Sequence, residues 1–175
     1  TSILGTTYEA PFGIAPMGLA ALSAYRGDLV MASAAEQTGI PMIMSGSSLI
    51  RMETLAKQSP ATWFQAYLPA GREAIKALVE RVREAGFNHL VITVDVPVAT
   101  NPDNNRRAGF SSPLRPSIKL AWDGLTHPRW LFSTFFRTIT KHGLPHFENN
   151  YASRGAPIFS ASVNRDISDR GGLDW

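Results

Sequence analysis

Cysteine is absent from the chain. That removes disulfides, thiolate nucleophiles and Cys-ligated metal centres, and it says little about compartment. Charge is also scarce: 18% of residues are Asp, Glu, Lys or Arg, and the formal net charge is only +3. A protein-wide footprint for nucleic acid is therefore not expected. No apolar run is long enough to span a bilayer, and the chain opens without a signal peptide. It also opens without an initiator Met, on TSILGTTYEAPFGIAPMG, so a piece of a longer protein is expected.

What remains is globular composition, with 44% hydrophobic residues over 175 positions. The small positive excess is concentrated. Between Arg106 and Lys141 stand seven Lys or Arg and a single acid, Asp123.

The first 96 residues alternate short apolar runs with helical patterns. FGIAP (12–16) reads as a strand stopped by Pro16. A helix is expected over about 26–38, with Gly39 as its left-handed cap and Pro41 beyond it. PMIMSGSS is a second strand, followed by a weak helix around METLAKQ. TWFQAY is a third, with Trp63, Gln65 and Tyr67 on one face. Ile75, Leu78, Val79 and Val82 then define an apolar stripe on a helix over 71–85 that Gly86 ends. HLVITVDV is a fourth strand, whose Leu90, Val91, Ile92 and Val94 predict burial on both faces. This alternation is the signature of right-handed βαβ units.

Residues 97–175 break the rhythm. One helix is expected there, about 128–141, with Pro128 at its first position. Leu131, Phe132, Phe135, Phe136 and Ile139 form its apolar face. A loop this long in a compact domain implies a function. The reading is thus one domain over 1–175: strands one to four with their helices in about 1–96, and a long excursion after them.

In a barrel of βα units the carboxyl ends of the strands carry the chemistry. Here those ends present Pro16-Met17-Gly18, Ser45, Gln65 with Tyr67, and Thr93 with Asp95. Taken singly, each has a bland local explanation, a turn or a β-former. Asp95 is the exception, because a buried carboxylate is costly unless it is paired.

The segments APFGIAPMG, IMSGSS, WFQAY, VITVDVPV and NNRRAGF, in this order and spacing, resemble the FMN-dependent α-hydroxy-acid dehydrogenase and oxidase family. Glycolate oxidase, L-lactate dehydrogenase and mandelate dehydrogenase belong to it. The likeness covers nearly the whole chain. It implies an α/β fold of the TIM (β/α)8 barrel family, of which this chain holds about the first four strands and the long loop after the fourth.

It also implies roles. The Pro16-Met17-Gly18 backbone would pack on the flavin of FMN, and Ser45, Gln65 and Thr93 would contact it. Tyr67 would meet the substrate, and Asp95 would orient a catalytic His. The implied reaction is oxidation of a small L-2-hydroxy acid to the 2-keto acid, with a His base taking a proton and two electrons passing to the flavin. The acceptor would be oxygen, a quinone or a cytochrome. Relatives are often tetramers, so a homo-oligomer is expected, in the cytoplasm or at the inner face of the cytoplasmic membrane. No metal and no nucleic acid are implied.

Two departures matter. The resemblance places the His base, a flavin-contacting Lys and a substrate-binding Arg beyond GGLDW, so the chain alone is expected to be inactive. His89, His127, His142 and His146 match none of these and read as structural or surface residues. And Pro102 stands where relatives carry an Arg that helps bind the substrate carboxylate, a contact proline cannot make. Either the loop shifts and Arg106 or Arg107 substitutes for it, or another hydroxy acid is used. The alternative reading is a non-catalytic relative, a half-barrel serving assembly.

In the excursion, Trp122, Trp130, Phe132, Phe135 and Phe136 interleave with Arg115, Lys119, Arg129, Arg137 and Lys141. The expectation is that this aromatic face packs on the barrel or a neighbouring subunit. A membrane interface through 128–141 is the alternative.

Overall fold

The computed structural model describes residues 1–94, Arg107 and residues 117–160. Asp95, Pro102 and Arg106 lie outside the described residues.

The chain begins with a hairpin that the sequence pattern did not announce. β1 (Ser2–Ile3) and β2 (Thr6–Thr7) pair antiparallel, with Ile3 opposite Thr6. The two-residue turn is Leu4-Gly5, and both residues have positive φ, 49° and 83°. A tight turn with both central residues left-handed matches the natural twist of a hairpin. Leu is a poor occupant of that conformation, which is why TSILGTT carries no turn signal.

The expected first strand is cut to one residue. Only Ile14 bridges, parallel to Met42. Its amide donates to the Pro41 carbonyl at 2.9 Å, and its own carbonyl accepts from Ile43 at 3.0 Å. Pro11 and Pro16 flank it, and neither has an N–H to extend a ladder. Gly13 has to be glycine here, because a Cβ would sit 2.3 Å from the Pro41 oxygen.

Two helices follow, α1 (Ala20–Ser23) and α2 (Gly27–Thr38). Gly39 caps α2 at φ 64°, as expected. Next come β3 (Ile43–Ser45), α3 (Met52–Gln58), β4 (Trp63–Ala66), α4 (Arg72–Glu84) and β5 (Leu90–Ile92). The three strands form a parallel sheet in the order β3-β4-β5. Ser45 lies opposite Gln65, and Gln65 opposite Val91.

The core lies between this sheet and its helices. Met44, Met52, Leu55 and Phe64 are fully buried, with Leu78 and Val82 of α4 packed against them. All four residues of β4 are buried, as a central parallel strand requires. β5 departs from its expected double burial: Leu90 and Val91 are half-buried and Ile92 is 47% exposed. β5 has only β4 as a neighbour among the described residues. The α4 stripe is also narrower than its spacing predicts. Leu78 and Val82 carry the packing, while Val79 faces outward.

Residues 117–160 hold more helix than expected. α5 (Ile118–Thr126) precedes the expected helix. Its start is set by Ser117, whose hydroxyl accepts from the Leu120 amide at 3.1 Å. The expected helix is present as α6 (Pro128–Trp130), running through a π-helical stretch, Leu131–Phe136, into α7 (Arg137–His142). Pro128 stands at its first position. Trp130 ties it to α1 by donating its indole N–H to the Leu22 carbonyl at 2.7 Å.

The chain then returns. Phe147 and Ile158 join Ala21 and Leu49 in a second small core. The aromatic face therefore meets its packing expectation only in part. Trp130, Leu131, Phe135 and Ile139 are half-buried. Trp122 and Phe132 are each 66% exposed, Phe136 43% and Ile118 92%.

Candidate active site

Three of the polar residues expected at the strand ends, Ser45, Gln65 and Thr93, come together. The Gln65 side chain, 1% exposed, is the centre. Its Oε1 accepts from the Ser45 hydroxyl at 3.2 Å and from the Gly46 amide at 3.3 Å. Its Nε2 donates to the Thr93 hydroxyl at 2.9 Å. A backbone N–H can only donate, so the Gly46 contact fixes which way the Gln65 amide faces.

The direction of each bond follows. The Ser47 amide donates to Ser45 Oγ at 3.1 Å, Ser45 donates to Gln65, and Gln65 donates to Thr93. Thr93 accepts, so its own proton is left to donate onward. Thr93 is half-buried at the open end of this chain of bonds. In a low-dielectric setting such a relay polarises its last donor.

Glycines let the backbones close around it. A Cβ on Gly46 would lie 2.8 Å from the Gln65 carbonyl oxygen, and one on Gly18 would lie 3.0 Å from Ser47 Cβ. The Pro16-Met17-Gly18 turn thus lies beside the end of β3, with Pro16 and Met17 exposed and Gly18 half-buried. Tyr67 directly follows β4 and is half-buried. Asp95, two residues past Thr93, lies outside the described residues.

Three further residues hold this end of the sheet. Asn149 is fully buried and locks the turn after β3. Its Oδ1 accepts from the Met52 amide at 2.8 Å, and its Nδ2 donates to the Ile50 carbonyl at 2.7 Å and the Ser48 carbonyl at 3.3 Å. Arg81 of α4 donates to Glu53 at 2.8 Å and to the Glu148 and Tyr151 carbonyls at 2.9 and 2.7 Å. Burial pushes the Glu53 carboxyl up, but Arg81 and Arg51 outweigh it and hold the group below the usual range. Asp28 is 1% exposed, and its burial raises its carboxyl above the usual range, partly offset by the Ser48 hydroxyl.

None of these three carries a local sequence signal. Asn149 acts on residues about a hundred positions away, and the spacing of α4 shows only its apolar stripe.

The histidines take structural places. His89 stacks on Trp63 with ring centres 4.7 Å apart, and His142 Nε2 meets the Tyr25 hydroxyl at 2.8 Å. His127 and His146 each contact a backbone carbonyl at 2.7 Å. No cluster able to hold a metal occurs among the described residues.

A parallel βα sheet with amide, hydroxyl and glycine backbone gathered at the strands' carboxyl ends defines an α/β fold, a class in which ligands characteristically bind at that rim. Residues 1–169 match the FMN-dependent dehydrogenase family, and the chain belongs to it. It is 38% identical to a putative L-lactate dehydrogenase of Mycobacterium tuberculosis, over 75% of this chain and 32% of that protein. It is 33% identical to the (S)-mandelate dehydrogenase of Pseudomonas putida, over 89% of this chain and 38% of that protein. Among solved structures, a monotopic membrane protein, (S)-mandelate dehydrogenase, superposes on 100% of this chain and 46% of its own, with TM-score 0.75 and 29% identity. The chain thus spans less than half the length of these relatives.

Proposed function

We propose that this chain is the flavin- and substrate-facing part of an enzyme that oxidises a small L-2-hydroxy acid, lactate- or glycolate-like, to its 2-keto acid. The observation that carries the reading is the relay from Ser47 through Ser45 and Gln65, which leaves Thr93 as a donor at the rim.

The donor set fits the polar edge of FMN. Pro16, Met17 and Gly18 would supply backbone against the ring, with no side chain intervening at Gly18. Ser45, Gln65 and Thr93 would fix its orientation, Thr93 donating to a ring acceptor. Bound FMN would supply the two-electron acceptor. Tyr67 would hold the substrate through its phenol. Asp95 would keep a His base oriented and charged after it takes the proton. The three-stranded sheet with its Ile14 bridge is read as an arc of a TIM barrel whose remaining strands complete the pocket.

The test is spectroscopic. Purified full-length protein should be yellow, and its flavin absorbance should bleach anaerobically on adding L-lactate or glycolate. A colourless protein that takes up no FMN would replace this reading with the non-catalytic half-barrel. Pro102→Arg in the same protein should raise kcat/KM about ten-fold or more, since a charge-assisted contact to a carboxylate is restored. An unchanged value would remove the claim that Pro102 weakens the site.

We also propose that α5 and the 128–142 helix rest on a membrane surface. Ile118, Trp122 and Leu125 share one face of α5 and are exposed, as are Phe132 and Phe136. Lys119, Arg129, Arg137 and Lys141 flank them. Aromatic and basic residues in this arrangement suit a helix lying in a bilayer interface. No helix among the described residues is long and apolar enough to cross a membrane. The solved (S)-mandelate dehydrogenase that superposes on the whole of this chain is described as a monotopic membrane protein. Sedimentation with anionic liposomes should carry the protein down, and Trp122→Ser with Phe132→Ser should release it. Protein left in the supernatant before mutation would overturn the idea.

A further inference from the structure

A cleft of about 230 Å³ lies between α1, the turn after β3 and the end of α7. Arg26, Arg51 and Arg154 line it, with Thr138, His142 and a single carboxylate, Glu148. It shares no lining residue with the Ser45–Gln65–Thr93 array.

Its charges are not balanced. Arg154 pairs with Glu148 at 2.8 Å. Arg51 pairs with Glu53 at 3.4 Å, but Glu53 is shared with Arg81 at 2.8 Å. Three guanidinium groups therefore line the cleft with one carboxylate, and Arg26 forms no ion pair among the described residues.

Two residues that line the cleft each carry an unused donor. Arg26 Nε and Thr138 Oγ1 are both buried and without a hydrogen-bond partner. A buried donor left unmade is costly, so each such group needs an explanation. Arg26 is also held in the left-handed region, at φ 53° and ψ 39°, where a residue with a Cβ is strained. His142 feels the same field. Burial, then the positive charges of Arg26 and Lys141, depress its pKa below the usual histidine value.

We propose that this cleft binds a phosphate oxyanion, free or as the head group of an anionic lipid. A tetrahedral dianion would match the two uncompensated charges, with the Arg26 guanidinium as its pairing partner and Thr138 beside it in the lining. Thr138 and His142 stand on the same helix as the exposed Phe132 and Phe136, so a lipid phosphate is within the architecture. The proposal does not depend on the hydroxy-acid reading.

The test is calorimetric titration of inorganic phosphate into the full-length protein in a phosphate-free buffer, without FMN and then with FMN saturating. Wild type should bind equally in both. Arg26→Gly suits the left-handed backbone and so should fold at least as well; it should weaken binding about ten-fold or more. Thr138→Val should weaken it severalfold. Arg72→Ala, which removes one charge from the exposed start of α4, should change nothing. A vesicle arm separates the sources. If the ligand is a lipid head group, Arg26→Gly should lose flotation with phosphatidylcholine vesicles containing phosphatidic acid, while Arg72→Ala keeps it. Binding abolished by FMN would belong to the cofactor's own phosphate site and overturn the proposal. So would equal behaviour of wild type and Arg26→Gly in both arms.

Discussion

Gln65 reaches from β4 to Thr93 beyond the end of β5, donating to its hydroxyl at 2.9 Å while its carbonyl end is held by Ser45 and Gly46. The amide is thus a bridge with a fixed polarity, and replacing it should have two separable effects. Gln65→Leu strands the Ser45 hydroxyl and the Gly46 amide, at roughly 1–3 kcal/mol for each unsatisfied group. Urea unfolding should show that loss without FMN present. Gln65→Glu keeps both donors satisfied but turns Thr93 into a donor toward the new carboxylate. On the proposed function, that variant should keep its hydrogen bonds, lose stability toward neutral pH as a newly buried carboxylate does, and bind FMN about ten-fold more weakly or more. Normal FMN affinity in Gln65→Glu would detach Thr93 from the cofactor.

Arg81 connects three pieces of chain that are distant in sequence: α3 through Glu53, and the 148–151 segment through two carbonyls. Its side chain is only 13% exposed. Arg81→Met keeps much of the stem packing and removes every donor. The expected loss is about 2–3 kcal/mol, as for hydrogen bonds to a charged group. Hydrogen exchange should locate the loss in 147–151 and the turn after β3 rather than in β4. An unchanged exchange pattern there would show that Asn149 alone holds the segment.

The parts of this fold that sequence made legible are those governed by local periodicity and capping. Gly39 and Pro41 stop α2, and Leu78 and Val82 place α4, because both signals act within one or two turns of chain. Ser45, Gln65 and Thr93 were legible as strand-end neighbours because alternation fixes which side chains share a face, while their roles come from the family resemblance alone. What stayed hidden depends on partners far away. Asn149 and Arg81 act across 65 to 100 residues. Ile14 is a lone bridge because prolines on both sides limit its ladder. The exposure of Ile92 reflects which strands neighbour β5, a fact absent from HLVITVDV itself. α5 was missed although Ser117 caps it, since Gly124 and nearby prolines mask its pattern.

Leu4 offers a test of local strain. It occupies a left-handed turn position at φ 49° and is 71% exposed, so its side chain contributes little packing to offset the strain. Leu4→Asn places a residue that tolerates this conformation beside Gly5, giving the favoured Asn-Gly turn. Thermal unfolding should rise by the equivalent of about 1 kcal/mol, the usual scale of a relieved left-handed residue. A drop in Tm would mean that the Leu4 side chain makes a contact its exposure conceals.

Asp28 gives a prediction with a sign fixed by linkage. Burial raises its folded-state pKa above the ordinary value of 3.8. Between those two values the folded protein holds the extra proton, so stability falls as pH rises through the window. Below both values the group is protonated in either state and costs nothing differential. Above both, the folded state carries a buried carboxylate whose Oδ2 has no hydrogen-bond partner. Asp28→Asn removes the charge and retains a polar group beside Ser48. It should therefore match wild type near pH 3 and exceed it progressively toward neutrality. The gain at pH 7.5 should be on the order of 1 kcal/mol, the common size of a point substitution. Urea midpoints of both proteins across that pH range would measure it. A variant less stable than wild type at pH 7.5 would show that the carboxylate is stabilised in the fold, as a negative charge at the N-terminus of α2 would be, by more than its burial costs.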